Sequence, residues 1–219
     1  LDSINIGGGF PIKHSLGFEY DYQFIINEIV SNIKKACKKA KVPMPNIYTE
    51  FGSYTVGESM AHIYSVLAEK NQNDRECWYM IDSSFITTLP DTWGIGEKFL
   101  MLPVNKWDNE YHRVVLGGIT CDSHDYYDSE EHINEVFLPK LKTLDPKDLD
   151  SNKEPLYVGF FHTGAYQDQI SGYGGIKHCL IPSPKHVIVE RDRNGKLIEW
   201  VYAKEQTAQS MLKILGYLR

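Results

Sequence analysis

Three consecutive glycines, Gly7, Gly8 and Gly9, follow a short alternating apolar run near the start of the chain. Glycine lets the backbone approach an anion closely and turn its N–H groups toward the charge, as in many phosphate sites. In barrels of alternating strands and helices, phosphate is often held by the loops after the last two strands. A tight turn needs the same residues, so the triplet predicts either a phosphate site or a plain turn.

A carboxylate, Glu50, ends a second predicted strand at residues 47–50 and is followed by Phe51, Gly52 and Ser53. At the C-terminal end of a barrel strand, such a carboxylate would face the mouth of an active site. A solvated charge at the end of a strand is the alternative interpretation. Glu50 is therefore a candidate site residue that depends on its neighbours for support.

Cys121 and Asp122 stand at the end of a predicted strand, residues 113–120, with His124 and Asp125 shortly after them. These residue types could bind a metal ion or build a hydrolase triad. Successive residues on a strand point to opposite faces, so Asp122 and His124 could share a face that Cys121 does not join. The pattern therefore disfavours a metal site and leaves Cys121 open as an inert core thiol or a reactive one.

Composition and cysteine spacing narrow the class of protein. The net charge of −6 comes without a basic stripe, which disfavours nucleic-acid binding. This charge would suit a pocket for cationic substrates, although plain solubility explains it as well. No apolar run approaches membrane-spanning length, and no signal-peptide pattern opens the chain. The scattered cysteines are typical of reduced thiols in a cytoplasmic protein rather than of a disulfide framework or zinc site: Cys37, Cys77, Cys121 and Cys179.

The elements that would position the first of these residues alternate between strand and helix. Apolar residues at helical spacing, with lysines near the C-terminal end, predict a helix at residues 22–40. With strands at residues 4–6 and 47–50 and a second helix at 57–69, the order is typical of a β/α barrel or a doubly wound sheet. A strand at the very start of a chain needs neighbours on both sides, so we expect the chain to be a piece of a longer protein.

The pattern changes after residue 71, where predicted strands are separated by loops instead of helices. This arrangement predicts an antiparallel β domain, and we place the boundary between residues 1–70 and 71–219. A turn at residues 192–195 should join the last two strands as a hairpin, residues 207–215 should form a terminal helix, and the polar residues 145–154 a surface loop. The predicted strands are residues 77–87, 98–104, 113–120, 156–161, 186–191 and 197–203.

Taken in order, these segments resemble the motifs of the fold-type III pyridoxal 5'-phosphate (PLP) decarboxylases, which include the ornithine, diaminopimelate and biosynthetic arginine decarboxylases. Residues 5–11 look like the family's phosphate-binding glycine motif, and residues 49–53 occupy the place of its Glu-Pro-Gly-Arg motif. Residues 120–123 match its Thr-Cys-Asp motif and residues 164–166 its Gly-Ala-Tyr motif. Residues 89–95 lean toward the arginine decarboxylase branch, whose product feeds polyamine biosynthesis.

The resemblance implies a cofactor, PLP, and residues that hold it. Gly7, Gly8 and Gly9 would bind the PLP phosphate through backbone N–H groups, and Tyr166 would add its hydroxyl. Glu50 would bond to the pyridine nitrogen and keep it protonated. A protonated ring accepts the electrons that remain when carbon dioxide leaves.

The resemblance also implies a substrate and a partner. Asp91 and Asp122 would hold the distal cation of a small basic amino acid, and Cys121 would help to return a proton to the substrate carbon. In the family, the residues equivalent to Cys121 and Asp122 reach across a head-to-tail homodimer. The implied fold is α/β plus all-β, with the last strands of a TIM-like β/α barrel in residues 1–70 and an antiparallel β domain with a terminal helix in residues 71–219.

Two departures from the family pattern leave alternatives open. Ser53 stands where the family has an arginine, and the family's cofactor-binding lysine precedes the segments that match here. Lys13, in the loop after the glycines, does not replace that lysine by position. The chain is thus expected to be inactive alone. The alternatives are a non-catalytic regulatory relative of the same fold and, with less support, a hydrolase that uses Cys121.

Overall fold

The structure is a computed structural model in which the chain divides into two compact units. It describes residues 2–74, 76–127, 136–141, 154–167 and 175–218, so the predicted loop at residues 145–154 lies outside the described residues except for Glu154. The first unit comprises residues 1–63, 98–102 and 159–165, and the second comprises residues 64–97, 103–158 and 166–219. The boundary predicted at residue 70 stays a prediction.

The first unit contains a strand–helix–strand motif. Strand β1 (Ser3–Asn5) pairs in parallel with strand β2 (Asn46–Tyr48), and helix α1 (Tyr22–Ala40) connects them. The Asp21 side chain caps the helix by accepting a hydrogen bond from the Phe24 N–H at 2.8 Å. The predicted helix at residues 22–40 and both short strands are confirmed, although the strands are only half-buried or exposed.

The helix predicted at residues 57–69 is wrong. A short helix α2 (Gly52–Val56) and a 3-10 turn (Gly57–Ser59) precede a strand, β3 (Ala61–Asn73). Burial alternates along the start of this strand, because His62, Tyr64 and Val66 are buried while the residues between them are not. This period of two fits a pleated strand and overrides the weak helical pattern of the same residues.

A seven-stranded sheet follows, in the order β5-β9-β3-β4-β6-β7, with β8 paired to β6. Each strand predicted between residues 77 and 161 corresponds to one of these strands, with bounds that differ by a few residues. The bounds are β4 (Glu76–Ile81), β5 (Leu100–Pro103), β6 (Tyr111–Gly117), β7 (Tyr126–Tyr127), β8 (Val136–Pro139) and β9 (Tyr157–Phe161).

The prediction of an antiparallel domain is wrong for the pair β4–β6. Strands β4 and β6 run parallel, with Trp78 opposite Val115, whereas β3–β4, β6–β7 and β6–β8 are antiparallel. A parallel pair needs a crossover of a dozen or more residues. The chain between β4 and β6 supplies it through two short helices, α3 (Phe85–Thr88) and α4 (Asp91–Gly94), and through β5.

The core of the second unit lies around the crossover helix α3. The Phe85 ring contacts those of Tyr64 and Tyr127, with ring centroids 5.7 and 5.9 Å apart. The predicted strand at residues 77–87 therefore ends early, at Ile81, because the chain turns into this buried helix. Other side chains that are nearly inaccessible to solvent in this unit are Tyr79, Leu89, Val114, Leu116, Leu138, Leu156 and Val158.

The chain ends in a hairpin and a helix, both as predicted. Strands β10 (His186–Arg191) and β11 (Leu197–Ala203) pair antiparallel, and the Asp192 carboxylate accepts hydrogen bonds from two backbone N–H groups in the turn. Helix α5 (Ala208–Ile214) begins after Thr207, whose hydroxyl caps it. Within the described residues, no helix is long and apolar enough to cross a membrane.

Candidate functional site

The glycine triplet and Glu50 lie side by side in the first unit, where parallel strands β1 and β2 end. The Glu50 N–H donates to the Gly7 carbonyl at 2.9 Å, which extends the strand pairing by one step. A Cβ atom on Gly8 would lie 2.3 Å from the Glu50 carbonyl oxygen, so only glycine fits there. Gly7 and Gly9 have φ angles of +74° and +87°, which favour glycine as well.

This turn has the free backbone donors that an anion site needs. Asn5 shapes it, because its side-chain oxygen accepts a hydrogen bond from the Gly7 N–H at 2.8 Å. In the part of the chain that the structure describes, the N–H groups of Gly8 and Gly9 have no hydrogen-bond partner. Two adjacent unpaired donors on a glycine turn fit a phosphate group of the kind PLP carries.

Glu50 presents a fixed carboxylate next to that turn. Its side chain is exposed and accepts a hydrogen bond from the Asn5 amide at 2.5 Å. Asn5 therefore bonds to both the glycine turn and the carboxylate, so the two groups keep one relative position. A carboxylate held in this way can bind a cation or a protonated ring nitrogen.

Aromatic side chains support the glycine turn from the residues that follow it. The Phe10 ring packs on Phe51 with centroids 3.9 Å apart, and Tyr22 contacts Tyr54 at 4.9 Å. The Tyr22 hydroxyl donates to the Pro11 carbonyl at 2.6 Å, which ties the start of α1 to the glycine loop. This packing supports the backbone on either side of the glycine turn.

A further brace in the first unit comes from the segment before the Gly-Ala-Tyr motif. The His162 ring donates from Nδ1 to the Lys13 carbonyl at 2.6 Å, so its Nδ1 carries a proton. Gly164 lies so close to the backbone of Val56 that a Cβ atom would be 2.0 Å from the Val56 oxygen. The backbone of Lys13 is thus part of the structural support of the loop.

The Thr-Cys-Asp motif lies in the second unit, in a loop rather than on a strand. Strand β6 ends at Gly117, so the predicted strand at residues 113–120 is too long by a few residues. The loop turns back on itself, since the Gly118 N–H donates to the Asp125 carbonyl at 2.8 Å. Cys121 is exposed and Asp122 is half-buried on this loop.

Asp125 holds this loop in place. Its carboxylate is 5% exposed and accepts hydrogen bonds from the Thr120 N–H at 3.0 Å, the Thr120 hydroxyl at 2.6 Å and the Phe85 N–H at 2.8 Å. It therefore fixes the start of the motif and caps helix α3 at the same time. Gly118 leaves no room for a side chain beside this carboxylate.

We predict that Asp125→Ala lowers the free energy of unfolding by about 3 kcal/mol, because it strips buried backbone donors of a charged acceptor. Urea denaturation measures the loss. The matched control is Asp108→Ala, on an exposed turn, which should change stability by less than about 0.5 kcal/mol. Equal losses in the two variants would contradict the role given to Asp125.

Asp122 is set up to stay negatively charged. Its pKa is lowered from the usual value, mainly by the His124 backbone N–H, which donates to the carboxylate at 2.8 Å. The imidazoles of His124 and His178 add smaller effects in the same direction, at 3.4 and 3.8 Å from the carboxylate. Asp122 and His124 lie 3.4 Å apart on a loop, not on one face of a strand as expected, and no group of three or more metal ligands exists among the described residues.

Asp91 has a different environment. Its carboxylate accepts a hydrogen bond from the side-chain amide of Gln167 at 2.8 Å, and Gln167 itself is 2% exposed. The described part of the chain shows no contact between the carboxylates of Asp91 and Asp122. The substrate-binding role of both stays a prediction, as does that of Tyr166, which is 62% exposed with a φ of +66°.

Sequence reasoning missed several residues of this site. Asn5 could have been found, because asparagine two residues before a glycine is a frequent turn-capping pattern. Asp125 carries no such signal, since its three donors come from distant parts of the chain or from a loop that looked like a strand. His178, whose ring lies 3.8 Å from the Asp122 carboxylate, lies more than fifty residues away from it in the sequence, with no local motif.

Solved structures that resemble this chain are PLP decarboxylases. The biosynthetic arginine decarboxylase from Campylobacter jejuni matches with a TM-score of 0.74 and 20% identity, over 99% of this chain and 48% of that one. Diaminopimelate decarboxylase from M. jannaschii matches with a TM-score of 0.70 and 19% identity, over 97% of this chain and 42% of that one. At these identities the likeness shows the fold, which is that of part of a fold-type III PLP decarboxylase.

Curated relatives point to arginine decarboxylase in particular. The biosynthetic arginine decarboxylase of Marinobacter nauticus is 33% identical over 142 residues, covering 63% of this chain and 20% of the relative. The arginine decarboxylase of Avena sativa is 33% identical over 118 residues, which cover 53% of this chain and 18% of the relative. No family model matches the sequence. The predicted resemblance is confirmed, and the chain spans about a fifth of the length of these relatives.

Proposed function

We propose that this chain is part of a PLP-dependent decarboxylase of a basic amino acid, with arginine as the first candidate substrate. The observation that carries the proposal is the pairing of the glycine turn with Glu50 at the ends of parallel strands β1 and β2. The glycine turn suits a phosphate group, and the Glu50 carboxylate suits a protonated ring nitrogen. PLP carries both of these groups. The likeness to arginine decarboxylases supports the same conclusion.

The glycine turn and Glu50 of the first unit would bind the cofactor. The free N–H groups of Gly8 and Gly9 would donate to the phosphate. Tyr166, which the resemblance assigns to the same phosphate, belongs to the second unit, and its role stays a prediction. Glu50 would accept a hydrogen bond from the ring nitrogen and keep it protonated. When bound, PLP supplies an electron-accepting ring, the chemistry that amino-acid decarboxylation requires.

The residues of the second unit would bind the substrate and move a proton. Asp122 is held ionised by the His124 N–H, so it can pair with a guanidinium or ammonium group. Asp91, fixed by Gln167, would be the second acceptor for that cation. Cys121, exposed beside Asp122, would donate a proton to the substrate carbon after carbon dioxide leaves. We propose that a homodimer brings these residues to the partner's cofactor.

The chain would act together with a segment that carries the cofactor-binding lysine. Lys13 does not match the family's lysine by position, and the lysines of α1 lie on the helix surface. Ser53 in place of the family arginine favours the second candidate, a non-catalytic relative. That candidate predicts an intact PLP site without turnover in the full-length protein.

The proposal is tested by Gly8→Ala. We expect PLP and inorganic phosphate to bind roughly tenfold more weakly or worse, because the added Cβ would collide with the Glu50 carbonyl and displace the donors. Titration calorimetry with each ligand measures the change, and circular dichroism checks the fold. The matched control is Gly17→Ala, where a Cβ meets no atom within 4 Å. Unchanged binding in Gly8→Ala would reject the glycine turn as the phosphate site.

A further inference from the structure

A buried glutamine of the second unit holds Asp91 from a distant part of the chain. The Gln167 side chain is 2% exposed, and its amide nitrogen Nε2 donates a hydrogen bond to Asp91 Oδ2 at 2.8 Å. Its amide oxygen Oε1 accepts a hydrogen bond from the Asp91 backbone N–H at 3.4 Å. One side-chain amide therefore contacts both the backbone and the carboxylate of Asp91, across 76 positions of sequence.

The backbone of Asp91 also has support of its own. Its carbonyl accepts hydrogen bonds from the Ile95 N–H at 3.2 Å and the Glu97 N–H at 2.9 Å, which close the turn around helix α4. The side chain has no such local support, because Pro90 precedes it and the Gln167 amide is its hydrogen-bond donor among the described residues. We therefore expect the helix to keep its shape without Gln167, and the direction of the carboxylate to depend on it.

The second oxygen of the Asp91 carboxylate, Oδ1, is left for a ligand. Among the residues that the structure describes, Oδ1 accepts no hydrogen bond and no cationic side chain pairs with Asp91. An amide donor carries no charge, so it orients the carboxylate without neutralising it. A half-buried carboxylate held in this way can accept a hydrogen bond from a guanidinium or ammonium group.

The chain reaches Gln167 through a constrained backbone. Tyr166, the residue before it, has a φ of +66°, in the left-handed region that residues with a Cβ atom adopt where their surroundings enforce it. Tyr166 is 62% exposed, whereas Gln167 is almost inaccessible to solvent. The left-handed residue thus accompanies the inward placement of the glutamine, and the two hydrogen bonds to Asp91 are contacts that can hold it there.

We propose that Gln167 is a positioning residue that fixes the Asp91 carboxylate for the distal cation of a basic amino-acid substrate. This role deepens the proposed function and rests on it, because it requires that Asp91 binds the substrate. Gln167 acts only through Asp91. A carboxylate that is already oriented loses less conformational freedom when the cation binds, so the substrate binds more tightly.

Gln167→Met, made in a full-length protein that carries this chain, tests the role. Methionine has nearly the same length and volume but has no amide to donate to the carboxylate, so Asp91 becomes free to rotate. We expect KM for arginine to rise roughly tenfold, the loss of one hydrogen bond to a charged group, with kcat nearly unchanged. KM for norleucine, which has no side-chain cation, and the PLP absorption spectrum should both stay as they are.

Gln206 provides the matched control. It is a half-buried glutamine of the same unit whose amide also bridges two groups: Oε1 accepts from the Ser183 N–H at 3.1 Å, and Nε2 donates to the Gly175 carbonyl at 3.4 Å. Gln206→Met removes a similar pair of hydrogen bonds and should leave KM for arginine unchanged. A change of cofactor absorbance in Gln167→Met would mean that the substitution acts through the neighbouring Tyr166, and would overturn the proposal.

A double-mutant cycle separates the role of Gln167 from the substrate role of Asp91. Asp91→Ala should raise KM for arginine by itself, and adding Gln167→Met should raise it no further. If Asp91→Ala raises KM while Gln167→Met has no effect, or has its full effect in both backgrounds, only the positioning role is overturned. If Asp91→Ala leaves KM unchanged, the substrate role of Asp91 is wrong and the positioning role is rejected with it.

An exchange of the amide and the carboxylate tests the contact without reference to activity. Gln167→Glu places two carboxylates where a 2.8 Å hydrogen bond now lies, and like charges at that distance repel each other. We expect Gln167→Glu to lower Tm at neutral pH, and Gln167→Glu/Asp91→Asn to regain most of the loss, because the asparagine amide can donate to the new carboxylate. Recovery supports the contact even if Gln167→Met does not fold, and a Tm that stays low in the double variant would overturn the proposal.

Discussion

Cys121→Ala, made in a full-length protein that carries this chain, should lower kcat by about 100-fold or more while the PLP absorption spectrum is unchanged. A positioned acid or base contributes typically about 10²–10⁴-fold to a rate, and the alanine variant has no proton to donate. Cys121 has the required setting, since it is exposed on a loop that the buried Asp125 carboxylate fixes. The unchanged spectrum follows because Gly7, Gly8, Gly9 and Glu50, which follow β1 and β2 in the first unit, are not altered.

The measurement is steady-state decarboxylation of arginine together with analysis of the product. Cys37→Ala on α1 is the matched control, because that thiol is half-buried on a helix outside the proposed site. Loss of cofactor absorbance in Cys121→Ala would mean that the variant disturbs the PLP site. Normal turnover with clean amine product would show that Cys121 only packs.

Asp122→Asn should raise KM for a basic amino acid by roughly 10- to 100-fold and leave kcat nearly unchanged. The substitution removes one charge from a charge-assisted hydrogen bond between the carboxylate and the cation of the substrate. The pKa of Asp122 is lowered, chiefly by the His124 N–H, so the carboxylate stays ionised well into mildly acidic conditions. The contribution of Asp122 to KM should therefore not change with pH in that range. KM should rise only when the pH falls through the lowered pKa of Asp122.

A substrate without the distal cation separates this role from a general disturbance. Norleucine, which has no side-chain charge, should have the same KM in the unsubstituted protein and in the Asp122→Asn variant. The control variant is Asp108→Asn on an exposed turn, which should match the unsubstituted protein with both substrates. An equal effect of Asp122→Asn on arginine and norleucine would remove Asp122 from the cation site.

The sequence predicted those elements whose signal is local. The helix at residues 22–40 carries a periodic apolar pattern and an Asp21 cap, and its predicted bounds agree with the structure. The hairpin around Asp192 and Gly195 is likewise set by turn residues that lie next to each other. The motif order was sufficient for the family resemblance, since it does not depend on correct strand bounds.

The errors occur where distant residues decide the conformation. Residues 61–69 carry apolar side chains that fit a helix or a strand, and pairing with β4 selects the strand. Strand β6 stops at Gly117 because the Asp125 carboxylate and the Gly118 N–H pull the following loop together. The approach of the His178 ring to the Asp122 carboxylate depends in the same way on residues far apart in the sequence, so no local pattern predicts it.

The central claim is that this chain holds PLP through its glycine turn and Glu50 and supplies no lysine for covalent attachment. The purified chain is mixed with PLP, reduced with borohydride and examined by mass spectrometry. The account predicts binding that weakens in Gly8→Ala, and no stoichiometric pyridoxyl-lysine. Lys177 is the most informative position, because it alone among the described lysines is buried, at 3% exposure, and a catalytic lysine owes its reactivity to burial. A single stoichiometric adduct at Lys177 or another lysine, accompanied by decarboxylase activity, would contradict the account.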